Sequence, residues 1–241
     1  MTDLAVRELE RACAQAPEDE IAQDRLALTR QRSGGVSLNG IELVYVPSGD
    51  YVLGADDGDA DEKPRRVERL VQGFWIGRYM VTREQYLAFC QATSVDEPTP
   101  GPAQVGQSVV NVSWHDANAF CAWVGGQLPT EWQWEMAARG QDGRTYPWGN
   151  GWLEESDQRE SSSHGAEQMC GHVWQWTASH YRRGSAARGL RGGSWFRGPQ
   201  VCRSAYRYSD VPGDRGDYYG FRVSALRAAP GLTYGNQRVR P

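Results

Sequence analysis

Five cysteines and four histidines are the side chains of this 241-residue chain best suited to covalent or metal chemistry. Cys13, Cys90, Cys121, Cys170 and Cys202 are far apart, and no CxxC pair marks a zinc site. They read as reduced thiols, some buried as small hydrophobes, with one disulfide left open. His115, His164, His172 and His180 have no nucleophile beside them, and Asp116 and Glu135 stand where helix caps and ion pairs account for them. The acidic run Asp56–Glu62 lacks the EF-hand order of oxygen donors and reads as a solvated loop. No catalytic constellation and no metal site emerge. The remaining chemistry is recognition, and it is concentrated in residues 191–223. There a regular frame (Arg191-Gly192-Gly193-Ser194-Trp195, Cys202-Arg203-Ser204-Ala205, Arg207, Gly220-Phe221-Arg222-Val223) encloses clusters rich in Tyr, Arg, Ser, Gly and Asp. Tyr, Ser and Gly suit a binding surface: Tyr brings contact area at little rotamer cost, and small residues adapt. The plain alternative is a Gly-rich surface loop.

The elements that must hold this stretch precede it. Leu4, Val6, Leu9 and Cys13, then Ile21, Leu26 and Leu28, recur at helical spacing and predict two short amphipathic helices broken near Pro17. Residues 1–35 are thus a helical extension, either a loosely ordered tail or a hairpin that docks on the main domain or a partner. Residues 36–225 form the main domain and 226–241 a tail that reaches back over it. Ile41–Val46 reads as a strand, 47–50 as its turn and 51–54 as its return. Residues 67–79 alternate toward one further strand. Thr82 with Gln85, Ser113, and Thr130 with Gln133 cap three helices. Gly171–Trp176 reads as a buried strand, and residues 151–168 as a polar surface excursion.

Bulk properties exclude several classes. The net charge of −4 and pI near 5.6 give no nucleic-acid footprint. Lys63 is the single lysine among 26 basic residues, so nearly every cation is a planar guanidinium suited to bidentate pairing. No segment is apolar for long enough to span a membrane, and the N-terminus lacks a secretory apolar region. A cytoplasmic location is the default expectation, with surface display by another route left open.

Several motifs carry a resemblance. Val46-Pro47-Ser48-Gly49, Tyr79–Tyr86, Val110–Ala117, Gln127–Glu135, Tyr146-Pro147-Trp148-Gly149 and Leu190–Trp195 resemble, in order, the formylglycine-generating enzyme (sulfatase-modifying factor) family. The resemblance spans residues 37–225 and implies an α+β fold: the family's variant of the C-type lectin fold, with short twisted antiparallel strands flanked by helices. It also implies an oxidase that binds copper through thiols two and seven residues after the tryptophan. Here those positions are Arg197 and Cys202, and one thiolate beside a guanidinium does not make a bis-thiolate site. Ser194 matches a serine of the enzyme's oxygen pocket. The family's structural calcium is not carried over either, because His172 and Gln175 stand where it has an oxygen donor and a carboxylate.

Residues 191–223 are more similar to the variable proteins of diversity-generating retroelements, which share this lectin-type fold and whose C-terminal segment is rewritten at adenines. By that match the free positions are Phe196, Arg197, Gly198, Gln200, Val201, Tyr206, Tyr208, Ser209, Asp210, Asp214, Gly216, Asp217 and Tyr218. Randomising both adenines of an AAC codon does not reach Lys, Glu, Gln, Met or Trp, and of these positions only Gln200 breaks that rule. The resemblance implies a non-catalytic ligand-binding protein with no cofactor and no bound metal, whose unknown ligand is a protein or other macromolecule rather than nucleic acid. Tyr206, Tyr208 and Tyr218 would anchor the ligand, with Arg197, Asp210, Asp214 and Asp217 setting charge preference. The alternatives are an oxidase of the formylglycine-generating type and an accessory interaction domain acting through the N-terminal helices.

Overall fold

A computed structural model describes residues 2–103, 106–153, 161–194 and 198–235. The N-terminal periodicity forms α1 (Thr2–Gln15) and α2 (Glu20–Gly34). Asp19 caps α2 by accepting the Ala22 N–H at 3.1 Å. The hairpin docks on the main domain through a buried carboxylate: Asp24 accepts the Tyr45 hydroxyl at 2.8 Å, and the Ser48 N–H and hydroxyl at 2.9 and 2.7 Å. Gln31 accepts the Tyr45 N–H at 2.7 Å, which ties the same helix to the same strand.

The strands are β1 (Val36–Leu38), β2 (Ile41–Val46), β3 (Gly49–Leu53), β4 (Arg66–Leu70) and β5 (Phe74–Gly77), then β6 (Trp174–His180), β7 (Arg188–Arg191), β8 (Tyr208–Asp210), β9 (Tyr219–Phe221), β10 (Ser224–Leu226) and β11 (Leu232–Tyr234). The first sheet has the order β10-β5-β2-β1-β11, so the chain's last described strand covers its first. The expected return strand after the turn at 47–50 does form, but it pairs with β4 in a separate two-stranded sheet, while β2 pairs with β1 and β5. Residues 67–79 likewise hold parts of two strands, not one. β2 explains both results. Leu43 and Tyr45 enter one apolar cluster, and Val44 and Val46 enter another, so β2 is buried on both faces between β1 and β5 and has no edge left for β3.

The helices are α3 (Arg83–Thr93), α4 (Trp114–Trp123) and α5 (Glu131–Arg139). All three caps occur as expected, each as a reciprocal capping box. α3 and α4 bury Tyr86, Phe89, Cys90, Ala117, Phe120 and Cys121 in the first cluster, and α5 buries Trp134, Met136 and Ala137 in the second. Each fully buried side chain of this size contributes about 1.5–3 kcal/mol. The excursion at 151–168 is only partly a surface feature: residues 154–160 lie outside the described residues, but Ser162 and Ala166 are buried.

A third sheet carries the stretch of interest, in the order β8-β7-β6-β9. β6 starts later than Gly171–Trp176 suggests, because Gly171 has φ +77° and turns the chain before the strand begins. β9 runs parallel to β6, the one parallel pairing among the described strands.

Candidate functional site

The frame of residues 191–223 is held by charge. Glu131 and Glu135 lie one turn apart on α5 and share a face. Arg191, 1% exposed, reaches both: Nε lies 3.2 Å from Glu131 Oε1 and Nη2 lies 2.9 Å from Glu135 Oε2. Its Nη1 donates to the Ser204 and Tyr206 carbonyls at 3.0 and 3.1 Å, so one guanidinium joins β7, α5 and the start of the variable segment. Arg207 grips Glu131 with two bonds, at 3.0 and 2.7 Å, and donates to the Tyr181 and Asp61 carbonyls. Gly189 leaves the room for this, since a Cβ there would lie 2.5 Å from the Glu131 carboxyl carbon. Arg203 pairs with Glu62 at 2.6 Å. Arg222 donates to the carbonyls of Gly77 and Glu167 and to Gln175 Oε1, and has no carboxylate partner among the described residues.

The acidic run at 56–62 is therefore more than a solvated loop. Glu62 is buried, and burial raises its pKa while Arg203 opposes the shift. Asp61 accepts the Tyr181 hydroxyl. Two members of the run fasten the frame because they sit directly across from its arginines.

The free positions surround an indole. Trp174 is buried in β6, and Tyr208 stacks on it with centroids 4.9 Å apart at 29°, with Tyr206 at 5.9 Å. Tyr218 meets Tyr219 edge-on at 4.6 Å. The Tyr219 hydroxyl donates to Asp210, whose other oxygen accepts the Val211 N–H at 2.8 Å. Asp210 also hydrogen-bonds the exposed Asp214 carboxyl, and this contact with a like charge raises the Asp214 pKa. The turn between β8 and β9 is anchored by backbone: the Trp114 N–H donates to the Pro212 carbonyl at 3.1 Å and the Asn111 N–H to that of Gly216 at 2.9 Å. Arg215 adds an ion pair to Asp116 at 2.8 Å.

Burial divides the segment. Gly198, Gln200, Tyr208, Asp214 and Asp217 are exposed, while Val201, Tyr206, Ser209, Asp210, Gly216 and Tyr218 are half-buried. Not one of these described free positions is buried. Arg191, Gly192, Gly193, Ser194, Cys202, Ser204, Ala205, Gly220, Phe221, Arg222 and Val223 of the frame all are. Tyr206, Tyr208, Asp210 and Tyr218 come together around Trp174 and Tyr219. Gly198, Gln200 and Val201 lie on a separate 3₁₀ turn, Pro199–Cys202. Phe196, Arg197 and the frame's Trp195 lie outside the described residues. Val201, Tyr206 and Tyr218 also pack against the first cluster, so they are partly structural.

Four participants escape the sequence reading. Trp174 is the platform for two tyrosines, and the alternation of Trp174 with Trp176 along β6 was the available signal. Glu131 and Glu135 neutralise the frame's arginines; their spacing of four residues on a capped helix hinted at a shared face. Cys170 lies beside Cys202, and nothing in their spacing announced it.

The lectin-type α+β scaffold, the buried arginine frame and the aromatic face together define a loop-rich domain of the sulfatase-modifying class. Residues 34–226 match the Sulfatase-modifying factor enzyme 1-like domain, and the chain belongs to that family. It is 29% identical to the inactive C-alpha-formylglycine-generating enzyme 2 of Mus musculus, over 78% of this chain and 87% of that protein. It is 28% identical to the formylglycine-generating enzyme of Thermomonospora curvata, over 76% of this chain and 93% of that protein. Among solved structures it resembles PvdO from Pseudomonas aeruginosa, with TM-score 0.66, 24% identity, 80% of this chain and 98% of that one. It also resembles Treponema denticola variable protein 1, with TM-score 0.60, 20% identity, 79% of this chain and 98% of that one. Both likenesses establish the α+β fold of C-type lectin type.

The family's copper chemistry does not fit the residues present. Of its two thiol positions, Arg197 supplies a guanidinium, which is not a soft donor. The thiol that does adjoin Cys202 is Cys170. Contact with Cys202 and burial raise its pKa well above the usual thiol range. Ser194 is buried, and its hydroxyl has no hydrogen-bond partner among the described residues. Among the described residues no group of three or more His, Cys, Asp or Glu is placed to hold a metal, and no helix is long and apolar enough to cross a membrane.

Proposed function

We propose that this chain is a ligand-binding protein whose diversified surface is displayed on a sulfatase-modifying-factor scaffold, as in the variable proteins of diversity-generating retroelements, and that it is not an enzyme. The observation that carries this reading is the division of residues 191–223: described free positions keep solvent contact, while the described frame is buried apart from its half-buried Arg203 and Arg207, with Arg191 and Arg207 ion-paired to α5. A scaffold that accepts many side chains must place them where packing does not depend on them, because exposed substitutions shift stability by about 0.5 kcal/mol or less and core substitutions by several times more. The shared fold with the Treponema variable protein is consistent with this.

In this reading Tyr208, with Tyr206 and Tyr218 beside it, supplies rigid aromatic area over Trp174. Aromatic residues of this kind dominate binding energy at interfaces. Asp210, Asp214 and Asp217 set the charge preference, and the ligand is a protein or other macromolecule. The coding DNA tests the proposal: a near-copy of the codons for residues 191–223, differing mainly at adenines and lying beside a reverse transcriptase gene, is expected. Its absence, with no such gene nearby, overturns the retroelement reading.

The second reading is oxidase activity, favoured by the Thermomonospora relative. The reduced protein is expected to take up no stoichiometric Cu(I) and to convert no cysteine of a peptide to an aldehyde. Either activity would reverse the assignment.

A further inference from the structure

Three stretches distant in sequence abut beneath the variable segment. The Gly171 N–H donates to the Gly192 carbonyl at 2.9 Å. A Cβ on Gly192 would lie 3.1 Å from the Met169 carbonyl oxygen, and one on Gly193 would lie 3.1 Å from that of Val201. Gly192 and Gly193 have φ of +97° and +72°, where a side chain is disfavoured. The Gly-Gly pair thus lets residues 169–171 and the 3₁₀ turn press on the same backbone from two directions. Two thiols meet there. Cys202 Sγ lies 3.7 Å from where a Cβ on Gly171 would sit, which puts it beside Cys170, and the nearness of the two thiols raises the Cys170 pKa. Cys202 is buried and Cys170 half-buried. Cys13, Cys90 and Cys121 belong to α1, α3 and α4.

We propose that Cys170 and Cys202 form a redox modification site, a dithiol that a hydroperoxide converts to an intramolecular disulfide. Cys170, the more accessible thiol, attacks the peroxide O–O bond. It becomes a sulfenic acid, and the peroxide leaves as an alcohol, or as water when hydrogen peroxide is the oxidant. The Cys202 sulfur then displaces the sulfenic hydroxyl, which leaves as water with the Cys202 proton. Two electrons pass from the thiols to the peroxide, and the S–S bond forms at about 2.05 Å. Because the Cys170 thiol is held protonated, the first step is slow at neutral pH.

The bond closes a loop of roughly 30 residues that contains β6, β7 and the Gly-Gly-Ser-Trp motif. It ties the turn bearing Gln200 and Val201 to the entry of β6. Oxidation therefore stiffens the platform on which the free positions stand, whatever they bind.

The test uses the full chain. Hydrogen peroxide is added, remaining thiols are alkylated under denaturing conditions, and digested peptides are mapped. One bridge joining Cys170 to Cys202 is expected, with loss of two hydrogens in the intact mass. The thermal midpoint should rise by about 5–10 °C, and dithiothreitol should reverse both changes. Cys170→Ser and Cys202→Ser should each abolish the bridge, and the wild-type map stands alone if either variant fails to fold. A bridge to another cysteine, over-oxidation of Cys202 with Cys170 left free, or five alkylatable thiols after treatment overturns the proposal. None of these outcomes bears on ligand binding at the free positions.

Discussion

Arg191 and Asp214 stand in the same stretch of chain and meet opposite demands. Arg191 is 1% exposed, with two carboxylates and two carbonyls around its guanidinium. Asp214 is exposed, and its side-chain partner is another carboxyl, that of Asp210. One residue closes a charge network on which three elements depend. The other sets two carboxyls side by side at the surface, an arrangement that costs little in water. The frame's guanidiniums find partners inside the fold, while Asp214 faces the solvent.

The largest test of this contrast is Arg191→Ala. It leaves Glu131 and Glu135 buried with part of their compensation gone, and breaking a buried pair this way costs about 3–5 kcal/mol. The thermal midpoint should fall by about 10 °C or more, measured by calorimetry; a fall of about 2 °C or less would show that the network is ornamental. Next is Trp174→Ala, which removes the platform. Truncating a buried Trp costs about 3–5 kcal/mol, and ligand binding through Tyr206 and Tyr208 should go with it. Stability lost without any change at those tyrosines, followed by NMR, would break the link.

A smaller effect comes from outside both regions. His164 is half-buried, and burial, with Arg144 nearby, pushes its pKa down to about 4. The unfolded chain takes up that proton near pH 6.5, so the native state is penalised as pH falls. Stability should be full above about pH 6.5 and decline by about 3 kcal/mol toward pH 4. Urea unfolding of the wild type against His164→Gln isolates this slope, and identical slopes would refute it. Smallest of all are Ser209→Ala, Asp214→Ala and Asp217→Ala. Each should shift stability by about 0.5 kcal/mol or less, which denaturant midpoints resolve; a loss of about 2 kcal/mol would move that residue into the frame.

Much of the scaffold was legible because its signals are local. Thr82, Ser113 and Thr130 announce their helices through bonds made within one turn. The division of residues 191–223 was legible for a different reason: clusters of Tyr, Gly and Asp break any apolar period, and the frame around them resembles that of retroelement variable proteins. What stayed hidden is non-local. The pairing of Arg191 with Glu135 spans 56 positions and that of Arg203 with Glu62 spans 141. Either carboxylate alone looks like an ordinary surface acid. The separate pairing of β3 with β4 escaped for a related reason, since a strand after a tight turn suggests a hairpin until both edges of β2 are known to be taken. The meeting of Cys170 and Cys202 depends on three glycines that let backbones touch, and glycine spacing does not say what it admits.

The central claim is that the frame folds the segment and the free positions leave it free to bind. Two libraries test it directly. One randomises Gln200, Tyr208, Ser209, Asp210, Asp214 and Asp217; the other randomises Arg191, Ser194, Ser204, Phe221, Arg222 and Val223. The fraction of members that resist proteolysis as folded protein is then counted by display and sequencing. Most of the first library should fold and most of the second should not. Equal survival of the two would contradict the account.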